Sequence, residues 1–131
     1  MNKVKYIPGD LVIYKGNVCE IMSADNGDKR HSQYSIIQVG KGIESFTFAH
    51  ERDIEPIPIS AQILEKNGWE KERIYYTNKF IPRIKLCTCE EGYEDKWSVS
   101  INGDIIGGYI YRVHQLQHIL FGLGLDSNIK L

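Results

Sequence analysis

The chain has 131 residues, of which 42% are hydrophobic and 25% are charged. This composition is typical of a folded globular protein and excludes a disordered chain. The formal net charge at pH 7 is −1. A balanced charge disfavours sequence-independent nucleic-acid binding, which usually needs a clustered positive field, although a local basic patch stays open.

The N-terminal part of the chain predicts short β-strands joined by tight turns. Strands are predicted over residues 11–14, 18–23, 33–39 and 44–49, with turns at 15–17 and 25–28. So many short strands in so short a segment predict a small SH3-like β-barrel. The residues Gly9 and Asp10, just before the first strand, resemble the opening of such barrels.

Two prolines predict a joint in the chain. Pro56 and Pro58 each fix their own φ and bias the preceding residue away from helix, so the stretch should be extended and stiff. We therefore expect a first domain over residues 1–57 and a second domain over residues 58–131.

The second domain predicts an α-β-meander-α module. Ser60 can cap a helix over residues 61–66, and Asn67-Gly68 can end it in a left-handed cap. Strands are predicted over 74–79, 83–89, 96–101 and 104–110, then a helix over 112–121 and an edge strand over 128–131. Asn102-Gly103 is a strong hairpin signal. The predicted fold class is α+β, with the helices on one face of an antiparallel sheet.

The cysteines and the apolar segments predict a cytoplasmic protein. Three cysteines, Cys19, Cys87 and Cys89, are too few for a disulfide framework, so we expect reduced thiols. No window approaches the roughly 18 consecutive apolar residues of a transmembrane helix. Residues 1–10 lack the apolar run of a signal peptide. We expect no membrane association.

The last helix carries two histidines at a spacing seen in zinc peptidases. His114 and His118 lie one turn apart, but the residue after the first histidine is Gln115, whose amide cannot act as the general base that Glu supplies in such enzymes. On a helical wheel the histidines and Phe121 lie opposite an apolar stripe. The stripe consists of Val113, Leu116, Ile119, Leu120 and Leu123. Three interpretations stay open for the outward patch: a solvated surface, a contact with a partner or second subunit, and a metal pair.

Cys87 and Cys89 could complete a zinc site with those histidines. Both thiols, however, share one side of their predicted strand with Arg83 and Lys85, opposite the apolar residues that face the helices. A lone Cys-x-Cys is also a weaker zinc signal than Cys-x-x-Cys. We therefore predict no metal, no cofactor and no catalytic residue.

Tyrosines and basic residues of the second domain form a further set of binding candidates. The set is Tyr75, Tyr76, Arg83, Lys85, Tyr111 and Arg112. Aromatic rings beside guanidinium or ammonium groups are how proteins hold nucleobases and phosphates. Packing within the sheet is the alternative, because strands favour tyrosine intrinsically.

Three segments carry a family resemblance: residues 55–69, residues 111–118 with their Val-His-Gln-Leu-Gln-His motif, and the ending 124–131. Together they resemble a family of small proteins from gut Bacteroidales, their phages and integrated elements. The resemblance implies a mobile-element setting, hence the cytoplasm of a host cell, and transfers no catalytic residue. Similar proteins often carry Glu at the position of Gln115, and the Cys-x-Cys is not a family feature.

The sequence thus predicts a non-catalytic binding protein of phage or mobile-element origin. Its expected partner is a host protein or a small nucleotide-type ligand, bound in an anti-defence role, and a homo-oligomer is compatible with the outward patch. One alternative is a nucleic-acid-binding or phage structural accessory module. Another is a degenerate zinc hydrolase.

Overall fold

The computed structural model describes residues 5–25, 33–88, 96–106 and 108–131. This part of the chain forms two antiparallel β-sheets and few helices, which confirms a sheet-rich α+β fold. Most of the turn predicted at 25–28 lies outside the described residues. Cys89 also lies outside them. Neither α-helix in the described ranges has the length and apolarity needed to cross a membrane.

Contacts divide the chain into two units. The first unit comprises Met1–Ile57 and Gln117–Asn128, and the second comprises Pro58–Leu116 and Ile129–Leu131. The predicted domains 1–57 and 58–131 are a statement about which parts of the chain fold independently. This division stays a prediction.

The first unit is built on a five-stranded antiparallel sheet in the order β4-β3-β2-β1-β5. Its strands are β1 (Leu11–Tyr14), β2 (Asn17–Asp25), β3 (Gln33–Gln38), β4 (Thr47–His50) and β5 (Ile54–Pro56). Lys15 and Gly16, with φ of 50° and 78°, form the predicted turn between β1 and β2. The strand predicted over 44–49 begins later, because Ile43–Ser45 forms a 3₁₀ turn.

The core of the first unit lies on one face of this sheet. It comprises Tyr6, Val12, Cys19, Ile21, Tyr34, Ile36, Ala49 and Ile54. The rings of Tyr6 and Tyr34 meet edge to face with their centroids 5.4 Å apart. The hydroxyl of Tyr34 also accepts the backbone N–H of Lys5 at 3.1 Å. Full burial of an isoleucine stabilises a fold by about 1.5–3 kcal/mol, so Ile21 and Ile36 are major contributors.

The second unit begins with the predicted helix α1 (Ala61–Lys66). The Ser60 hydroxyl accepts the N–H of Ile63 at 3.2 Å, and Gly68, with φ of 87°, follows the helix end. The sheet has the antiparallel order β10-β9-β8-β7-β6, which is the predicted meander. Its strands are β6 (Trp69–Glu72), β7 (Tyr75–Asn78), β8 (Ile84–Thr88), β9 (Trp97–Ile101) and β10 (Asp104–Ile105). The sequence did not predict β6.

Two predicted features of the second unit differ from the structure. The Asn102-Gly103 turn is present, with φ of 53° and 87°, but β10 ends at Ile105 and the chain returns to the sheet only as a bridge at Ile110. The predicted edge strand over 128–131 is wrong. Instead, Lys130 donates its N–H to the Asn67 side chain at 2.7 Å and accepts a bond from the same amide at 2.7 Å.

The last helix, α2 (Val113–Gly122), buries the predicted stripe. Val113, Leu116 and Leu120 are buried, and Ile119 is half-buried. The predicted outward patch is wrong for His114, which is only 6% exposed. The wheel located the apolar stripe correctly, but burial on this helix extends beyond the stripe.

Candidate functional site

A groove of about 340 Å³ lies on the exposed face of the second sheet. The described residues that line it are Tyr75, Lys85, Cys87, Ser98, Ser100, Gly103 and Ile105. Its volume lies at the lower end of the range of about 300–1,000 Å³ that ligand pockets span.

Strand alternation places these side chains on one face. On the opposite face, Tyr76 and Trp97 are buried with their ring centroids 5.4 Å apart. The neighbouring residues Tyr75 and Ser98 therefore point the other way, and both pair with Cys87 across the ladder. This alternation gives the groove its floor.

A second row of residues crosses the same face. Lys85 pairs with Thr77 on one side and with Ser100 on the other, and Ser100 pairs with Ile105 at the sheet edge. Directly paired side chains on neighbouring strands lie within contact distance. The two rows thus bring an aromatic ring, an ammonium group and two hydroxyls together.

The Lys85 ammonium lies 5.5 Å from the centre of the Tyr75 ring, and this ring is 41% exposed. Among the described residues no carboxylate forms an ion pair with Lys85, and none of the described lining residues is acidic. Such a cation over an exposed ring can bind an anion while the ring stacks on a planar group.

The other tyrosine and basic candidates lie outside the groove. Tyr76 is buried on the opposite face of the sheet. Arg83 is exposed just before β8 and does not line the groove. Tyr111 and Arg112 are half-buried ahead of α2, where the Tyr111 carbonyl accepts the N–H of Ile59 at 3.0 Å. Their roles in binding stay predictions.

Ser98 and Ser100 were missed as site residues, although a signal for them existed. They alternate with Trp97, Val99 and Ile101 along β9, a pattern that already assigns them to the solvent face. What the sequence alone did not fix was the register that sets them beside Lys85.

A second constellation lies within the first unit. The carboxylate of Asp10, which is 2% exposed, lies 2.7 Å from Nε2 of His118 and accepts the N–H of Ile7 at 2.9 Å. Burial raises the pKa of the Asp10 carboxyl, and the bonds from Ile7 and His118 oppose that rise. The sequence did not identify Asp10 as the partner of His118.

Gln117 fixes this constellation in place. Its Oε1 accepts the N–H of Leu11 at 2.9 Å, and its Nε2 donates to the carbonyls of Gly9 at 2.9 Å and Ser127 at 3.1 Å. Through His118 and Gln117, the second half of α2 is attached to residues 9–11 and therefore has a structural role. Phe121, by contrast, is 66% exposed.

Gln115 has a capping role at the start of α2. Its Oε1 accepts the N–H of Tyr111 at 2.7 Å and the N–H of Arg112 at 3.0 Å, as the third residue of a capping box does. The described residues contain no group of three or more His, Cys, Asp or Glu side chains that could hold a metal ion. The absence of zinc from the protein itself stays a prediction.

No protein-family model, curated protein or solved structure matches this chain. Any function of this chain must therefore be inferred from its own residues.

Proposed function

We propose that the chain is a non-catalytic binding protein that holds a small nucleotide-type ligand in the groove of its second unit. The observation that carries the proposal is the Lys85 ammonium 5.5 Å from the exposed Tyr75 ring. Stacking of a base on an aromatic side chain contributes about 1–3 kcal/mol. The ammonium supplies three donors for a phosphate, and the hydroxyls of Ser98 and Ser100 can bind the edges of a sugar or base.

The resemblance to Bacteroidales and phage-associated proteins supplies the biological setting. In that setting the protein acts in the host cytoplasm against a defence system, by sequestering a nucleotide-type signal. Sequestration requires a bound ligand and no chemical step.

The first unit is proposed to be an SH3-like barrel. Its strand order, in which β5 pairs with β1, supports this assignment, as does the 3₁₀ turn Glu51–Asp53 between β4 and β5. Phe46 and Phe48 are 42% and 61% exposed there, with ring centroids 5.3 Å apart. This exposed aromatic pair favours a second candidate function, the binding of a host protein.

Native mass spectrometry after incubation with the four ribonucleoside monophosphates tests the nucleotide proposal. The wild type should retain a ligand, and Lys85→Gln and Tyr75→Val should each lose it. A matched control is Lys79→Gln, because Lys79 lies 5.2 Å from the ring of Phe80 in the same unit but outside the groove. Retention by both groove variants would overturn the proposal.

Fluorescence anisotropy with labelled single strands separates the nucleic-acid alternative. Affinity that grows with strand length and falls steeply with salt would favour that alternative, since each phosphate contact releases counterions. Pull-down of a host protein that is lost in Phe46→Ser with Phe48→Ser would favour the host-protein candidate instead.

A further inference from the structure

The charges around the groove bear on how many phosphates its ligand carries. We infer that the nucleotide has one phosphate group, as a monophosphate or a cyclic phosphodiester, rather than a diphosphate or triphosphate. This inference rests on the function proposed above.

Lys85 is the only cationic residue among the described residues that line the groove. Its ammonium is not engaged in an ion pair with any described residue, so its charge is available to a ligand. One ammonium balances the single charge of a phosphodiester and about half the charge of a phosphomonoester. A second and third phosphate would find no further cation among the described lining residues.

Two carboxylates bound the same face of the sheet on the side of β6. Glu72 pairs with Tyr75, and Glu70 pairs with Thr77, which itself pairs with Lys85. Neighbouring strands are about 4.8 Å apart, so β6 lies about 10 Å from β8. That separation exceeds the Debye length of about 8 Å at physiological ionic strength, so the carboxylates repel only a phosphate chain that extends from Lys85 towards them.

The opposite side of the groove offers neutral groups. Ser98 and Ser100 present hydroxyls, and Ile105, which is 76% exposed, presents an apolar side chain. These groups suit a sugar and a base better than additional phosphates, which need charged or multiple donors. The groove therefore matches one ring, one anionic group and a neutral linker between them.

Calorimetric titration at constant ionic strength tests the inference with nucleosides, their monophosphates and their triphosphates. We expect the monophosphate to bind at least as tightly as the triphosphate. Lys85→Gln should weaken monophosphate binding at least about tenfold, because a charge-assisted bond is lost. The same variant should weaken nucleoside binding less than monophosphate binding, and Lys85→Arg should restore most of the monophosphate affinity.

The outcomes separate the inference from the proposed function. A triphosphate that binds tighter than the monophosphate overturns the inference and leaves the proposed function standing. Arg83→Gln then shows whether Arg83 supplies the second cation. Absence of binding by every nucleotide, or binding that ignores both Lys85→Gln and Tyr75→Val, overturns both. Circular dichroism checks each variant, and Lys85→Thr replaces Lys85→Gln if the latter unfolds, since threonine favours strands.

Discussion

The Gln117 side chain should make a large contribution to stability, and Gln117→Ala measures it. Gln117 is 3% exposed and satisfies the N–H of Leu11 and the carbonyls of Gly9 and Ser127. A buried group left without a partner costs about 1–3 kcal/mol, which applies in full to the Leu11 N–H and in smaller part to the half-buried Gly9 carbonyl. We therefore expect the free energy of unfolding to fall by about 3 kcal/mol from these two groups together. A change of that size lowers the Tm by roughly 10 °C for a chain of this length.

Urea denaturation followed by circular dichroism gives the free energy of unfolding directly. The matched control is Gln62→Ala, an exposed position of α1 where a surface change should stay within about 0.5 kcal/mol. Gln117→Glu is a second test. Its ionised carboxylate cannot donate to the Gly9 carbonyl, so the loss of stability relative to the wild type should become smaller at acidic pH, where the carboxyl is protonated. If Gln117→Ala unfolds within about 0.5 kcal/mol of the wild type, the buried bonds do not carry the stability assigned to them.

Three other predictions concern acidity, association and metal. Burial raises the pKa of the Asp10 carboxyl in the folded state above its ordinary value of 3.8. Protonation of Asp10 therefore stabilises the folded state fully below pH 3.8, and this contribution is lost as pH rises through the folded pKa. The difference in unfolding free energy between wild type and Asp10→Asn should therefore fall as pH rises from 3.8 through the folded pKa. A difference that stays constant or rises would contradict this shift. Phe121→Ser should leave the fold intact and lower the molar mass in light scattering if Phe121 is a subunit contact, whereas an unchanged mass means that this ring is solvated. Elemental analysis should find no stoichiometric zinc, and Gln115→Glu should create no peptidase activity; about one zinc per chain would restore the hydrolase alternative.

Capping and turn residues in the sequence correctly predicted the helix and the turn whose formation depends on residues close together in the chain. The helix α1 follows from Ser60 as its cap and Asn67-Gly68 as its end, and the β9–β10 turn follows from Asn102-Gly103. Strand β6 was missed because Trp69 is followed by three charged residues that are exposed at the sheet edge. An edge strand of this kind has no alternation to detect.

Contacts between distant residues could not be predicted in the same way. Tyr75 and Lys85 were both identified, but their adjacency depends on the register of β7 with β8, which apolar alternation alone leaves open. The wheel of α2 separated the stripe from the face of His118 without indicating what covers that face. Asp10, the residue that meets His118, is 108 positions away.

The discontinuity of the first unit limits how this protein can evolve. Residues 117–128 group with Met1–Ile57, so the gene segment that ends at the prolines lacks Gln117 and His118. A recombination event at the prolines would transfer Leu11 and Asp10 without Gln117 and His118, which accept the Leu11 N–H and contact the Asp10 carboxylate. Both halves of this chain should therefore be inherited together, unless the incoming half supplies its own glutamine and histidine on its last helix.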